Sequence, residues 1–210
     1  MNPQLIGRLH RVSALILTLF ILAHLINHLF AWFGPEAHIK VMDALRAIYR
    51  SRLGEATLLL SIVIQIITGI TKVRKIGLRN HDFFTRLQIY SGLYLSFFLL
   101  AHTTAVLVAR NIVGLDTNFF FGASALYLWP FKLFFIPYYT LSITAFFAHS
   151  ACVLRWIFMD KWGMERSNQL VYTLLITGVV ISGLLVFVFS GAAYEIEFSN
   201  EIKAWFNYGQ

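Results

Sequence analysis

Four histidines, His24, His28, His102 and His149, lie in long stretches of sequence that carry no charged residue. Neutral imidazole is the commonest metal ligand among side chains. The same stretches hold no Asp or Glu with which the histidines might form a proton path, which argues against a proton-coupled transporter. The remaining histidines, His10, His38 and His81, fall at the ends of these stretches or between them. The single cysteine, Cys152, leaves no internal disulfide, no CxxC pair, no zinc knuckle and no four-thiolate iron–sulfur site. No GxGxxG or Walker-type loop is present for a dinucleotide or ATP.

The elements that must position these histidines follow from composition. Of 210 residues, 58% are apolar, 16% aromatic and only 13% charged, with a mean hydropathy of +0.68. Soluble domains run nearer half apolar and a quarter charged. Hiding this much apolar surface in water would leave aggregating patches. Disorder, a soluble enzyme and nucleic-acid binding are thereby excluded. The chain reads as an all-α integral membrane bundle, one membrane domain over 1–210.

Gaps between charges predict five spans, at about 12–33, 54–73, 87–110, 133–156 and 168–190. At ~1.5 Å per residue, about 20 residues cross the hydrocarbon core. The aromatic stretch Phe119 to Phe131, with Gly122 and Pro130, reads as an interfacial loop. Over 37–53, Val41, Met42, Leu45, Ile48 and Tyr49 recur at helical spacing, which suits an amphipathic helix lying on the membrane surface.

Orientation follows from the basic residues. Arg8, Arg11, Lys72, Arg74, Lys75, Arg79, Arg86, Arg155, Lys161 and Arg166 share one side; the other holds Lys40, Arg46, Arg50, Arg52, Arg110, Lys132 and Lys203. The richer side should be internal. That puts the N-terminus inside and the C-terminus outside, in a bacterial cytoplasmic membrane or a mitochondrial inner membrane. The net charge of +7 is thus topology rather than a nucleic-acid footprint.

Depth then sorts the histidines. Along the first span His24 and His28 lie ~18 and ~24 Å from its inner end, and His102 lies ~22 Å along the third. The fourth span runs the other way, so His149 falls in the inner half, level with Gln65 on the second. Two imidazoles at equal depth on different helices can ligate one haem iron from opposite faces. The same side chains can instead hydrogen-bond neighbouring helices, as Asn27 between His24 and His28 is expected to do. His24 and His28 share a helix face, so only one of them is needed as ligand.

In this arrangement the chain resembles the five-helix dihaem cytochrome b anchor of succinate dehydrogenase and fumarate reductase. The resemblance runs from about residue 7 to 190. It rests on Arg8-Leu9-His10, His10-Arg11-Val12-Ser13, His24-Leu25 with Asn27 and Phe30, Leu87-Gln88 with Gly92 and His102, and His149 with Trp162-Gly163. It implies that His24, His102 and His149 are axial haem ligands, with His28 the alternative to His24. Arg8, His10, Arg11 and Ser13 would lie near quinone or a haem propionate. Where the family has its second-span ligand, four residues before a glycine, this chain has Gln65 before Gly69. An amide is a poor iron ligand, so the resemblance implies one haem b at the outer level and an inner level in question.

The implied role is electron transfer and anchoring rather than catalysis by this subunit. A flavoprotein and an iron–sulfur subunit would dock on the basic inner face and exchange electrons with membrane quinone. The cytochrome b subunit of another quinone-linked dehydrogenase or hydrogenase, and a haem-free anchor or assembly protein, are the alternative expectations.

Overall fold

The computed structural model describes residues 2–79 and 81–206. Five long helices are each long and apolar enough to cross a membrane. They are α1 (Pro3–Leu29), α3 (Arg52–Ile76), α4 (Phe83–Val108), α6 (Lys132–Trp162) and α7 (Met164–Phe189). At the far end from the N-terminus lie three shorter helices, α2 (Pro35–Tyr49), α5 (Phe119–Tyr127) and α8 (Asn200–Trp205). No strand occurs among the described residues. The long helices begin and end beyond the expected spans. The N-terminal one starts at Pro3 rather than near Val12, so His10 and Arg11 belong to it.

Local chemistry sets the helix starts. Pro3 occupies the first turn of α1 and the Asn2 side chain accepts from the Gln4 amide. Ser51 caps α3, and Asp82 caps α4 through the amides of Phe84 and Thr85. Gly163, at φ +80°, makes the reversal between α6 and α7 in a conformation that disfavours other residues. Above that turn Gly178 lets α7 meet α6 closely; a Cβ there would stand 2.7 Å from the Cβ of Phe147.

Packing divides the bundle. Helices α4, α6 and α7 pack together, α1 packs on α3, and α3 meets α4 more loosely. Large apolar side chains stay exposed on all five long helices, among them Leu19, Val63, Leu100, Ile157 and Ile176. Such an apolar exterior is what hydrocarbon solvates and water does not.

One expectation is corrected at the far end. The stretch from Phe119 is not an interfacial loop but a helix whose Phe119, Ala123 and Leu126 are buried against Val188, Phe189 and Ile202. Pro130 stands beyond its last turn, and Gly122 sits where the ring of Phe189 approaches. Helix α2 covers most of the anticipated 37–53 segment; Ile48 is 72% exposed, whereas His38 and Met42, four residues apart, are buried.

Candidate functional site

The far half of the bundle encloses a cavity of about 300 Å³ between α1, α3, α4 and α6, roofed by α2 and α5. Its walls are mainly apolar, with Leu17, Leu25, Leu58, Ile62, Leu99 and Phe146 among them. Four histidines from three helices line it: His24 and His28 on α1, His38 on α2 and His102 on α4.

These rings form a connected set. His24 and His102 lie with ring centres 6.4 Å apart and planes at 60°. Phe98 stacks on His102 from one turn below, and Phe20 stacks on His24. Each aromatic ring limits the tilt of its histidine. His24 Nε2 lies 3.0 Å from His28 Nε2, and His28 Nδ1 lies 3.1 Å from His38 Nε2. Asn27 Nδ2 donates to His38 Nε2 at 3.2 Å. With Nε2 as acceptor, His38 holds its proton on Nδ1, which is buried without a partner, as is Asn27 Oδ1. Burial, and then His24 and Arg46, hold the His38 pKa down from 6.5 to about 4.

This geometry suits a haem iron. Two imidazoles bonded at about 2 Å to opposite faces of one metal hold their ring centres roughly 6 Å apart. The His24–His102 separation meets that requirement. Among the described residues no three His, Cys, Asp or Glu side chains form a group able to hold a metal ion. The cluster therefore offers at most a pair of imidazoles, His24 and His102, and not a cage. Binding a metal at His24 Nε2 would exchange the hydrogen bond to His28 for the metal bond.

The N-terminal half is built differently. The Thr68 hydroxyl donates to Ile64 O at 2.6 Å, so its oxygen accepts from His10 Nδ1 at 2.9 Å. His10 Nε2 then accepts from the Gln65 amide at 3.4 Å, and Ser13 donates to Gln65 Oε1 at 2.7 Å. Both ends of the Gln65 amide are thus engaged by α1. His149 donates from Nδ1 to Gln88 O at 3.0 Å, and its ring lies so close to Gly92 that a Cβ there would meet it at 2.9 Å. No hydrogen bond joins Gln65 to His149, although depth alone sets them at one level.

His24, His28 and His102 are therefore brought together, while His149 stands apart from them, its Nε2 without a hydrogen-bond partner among the described residues. Of the residues at the start of the chain, His10 and Ser13 turn inward, and Arg8 and Arg11 are exposed. The residue that the sequence did not single out is His38, 2% exposed in the centre of the cluster. Its one signal was Met42, four residues on and on the same helix face.

Comparison of the chain with family models, curated proteins and solved structures finds no match to any of the three.

Proposed function

We propose that this chain is the haem-b-carrying membrane anchor of a succinate:quinone oxidoreductase or fumarate reductase. In this reading it is a multi-pass protein of the bacterial cytoplasmic membrane with its N-terminus inside. The observation that carries the proposal is the pair His24 and His102 on two helices, 6.4 Å between ring centres, on the wall of an apolar cavity. When bound, haem supplies one-electron chemistry at that level. The chain's own residues do the rest. His24 and His102 hold the metal from two helices, Phe20 and Phe98 fix the ring orientations, and the aliphatic walls exclude water.

The proposal assigns the flavin and iron–sulfur chemistry to partner subunits docked on the basic end, and quinone to the membrane. Support comes from the order and spacing of the sequence elements around His24, His102 and His149, and from the ten basic residues gathered at one end. The proposal includes one haem, at the outer level, because at the inner level Gln65 and His10 are committed to each other.

Isolation of the chain under mild detergent tests this. The expected result is a reduced-minus-oxidised spectrum of a low-spin b haem, with a flavoprotein and an iron–sulfur protein co-purifying and succinate reducing the haem. A preparation free of haem and of both partners contradicts it. Orientation is tested by labelling single cysteines in intact cells: a probe at Asp116 should react from outside and one at Lys75 should not, and the reverse pattern inverts the topology.

A further inference from the structure

The mouth of the cavity, away from the histidines, carries charge that the metal-binding pair does not explain. Arg50, at the end of α2, and Arg110, in a π-helical turn (Ala109–Val113) that ends α4, both line the cavity. Glu55 on α3 lines it beside them and pairs with Arg110. Arg50 meets no carboxylate among the described residues; its guanidinium donates to the Thr117 hydroxyl at 2.7 Å. The third arginine of this rim, Arg46, is already held between Asp43 and Asp116 and does not line the cavity. Burial, and then Arg46, press the Arg50 pKa below its ordinary value, with Arg110 acting in the same direction. Asp116 acts on Arg50 in the opposite direction but is paired with Arg46, so Arg50 is the rim arginine without a carboxylate in ion-pair contact among the described residues.

The spacing suits one ligand class. Arg110 stands eight residues beyond His102 on the same helical run, ~12 Å of rise at most. Its side chain can bend back toward the cavity that it lines. Arg50 and Arg110 line the same cavity as His24 and His102, so a ligand that fills it meets both pairs. The rim supplies two guanidiniums, and a guanidinium binds a carboxylate through paired donors.

Resting on the haem reading of the cavity, we infer that Arg50 and Arg110 are the anchors for the two propionate carboxylates of the bound haem. In this arrangement Glu55 is the stand-in carboxylate that occupies Arg110 until the ligand arrives. The haem is thereby oriented with its acid edge toward the rim and its apolar edge toward the centre of the bundle.

The test compares haemin with haemin dimethyl ester, which keeps the iron and the ring but lacks both acids. Each is titrated into the full chain expressed in haem-depleted cells, and the low-spin spectrum is followed. The wild-type chain should bind haemin at least about tenfold more tightly than the ester, the scale of one charge-assisted hydrogen bond. Arg50→Gln and Arg110→Gln should each remove most of that preference and leave ester binding unchanged. Glu55→Gln should tighten haemin binding and not ester binding, by freeing Arg110. Equal affinity of the wild-type chain for haemin and ester, with a low-spin spectrum for both, overturns this inference and leaves the haem reading intact. Because that comparison uses unmodified protein, it decides the matter even if an arginine variant does not fold. No low-spin spectrum with either compound overturns both.

Discussion

The two halves of this bundle use the same residue types for opposite ends. In the half toward α2 and α5, a hydrogen-bonded set of His24, His28, His38 and Asn27 lines a cavity, and the pair that could share a metal, His24 and His102, has no hydrogen bond between its members. In the half near the N-terminus, His10, Ser13, Gln65 and Thr68 form a continuous hydrogen-bonded chain that ties α1 to α3. One arrangement spends polar groups on leaving a space with ligands on its walls. The other spends them on joining two helices. A polar group in a bilayer needs a partner, and whether that partner is protein or ligand separates a structural site from a binding site.

Breaking the first arrangement should have the largest effect. His102→Ala removes one of two axial ligands, so the six-coordinate b-type spectrum should be lost entirely; persistence of that spectrum would mean that the pair is misassigned. His38 gives the next effect. Its folded-state pKa lies near 4 against 6.5 for the free side chain, so the unfolded chain takes up a proton first as pH falls. Thermal stability in detergent should be full above about pH 6.5 and decline as pH falls toward about 4. His38→Gln should flatten that decline, and an unchanged slope would show that other groups set it.

The second arrangement should yield smaller changes. Gln65→Leu cuts the links to Ser13 and His10 and should cost on the order of 1 kcal/mol, the scale of interhelical hydrogen bonds measured in membranes. Unfolding in mixed detergent would measure it. The low-spin spectrum should not change, and its loss would place Gln65 at the haem. His149→Ala should change the haem spectrum least of all, because His149 contacts Gln88, Ser91 and Gly92 and none of the four clustered histidines. Loss of half the haem in that variant would put a second haem at the inner level.

The five long helices were legible because a bilayer demands about 20 mainly apolar residues in a row, and five stretches approach or exceed that, the second with sixteen uncharged residues at 56–71. Their ends were less so. Arg8, His10 and Arg11 are compatible with continuation of α1 beyond the hydrocarbon, and charge gaps report the membrane rather than the helix. Depth arithmetic brought His24 and His102 to one level, and their ring centres lie 6.4 Å apart with planes at 60°. The same arithmetic set Gln65 level with His149 but could not give the rotation of α3, which is fixed by side-chain packing and turns Gln65 toward α1. Helix α5 was hidden by two residues that usually break helices, one beyond its end and one at a close contact. His38 was hidden because its neighbours Glu36 and Lys40 are exposed and gave the segment a surface character.

Haem stoichiometry, measured with a redox difference spectrum on the protein purified with its partners, tests the contrast between the two halves most directly. One low-spin b haem per chain, lost in His102→Ala and kept in His149→Ala, is the predicted result. Two haems of equal occupancy, or none, would contradict it.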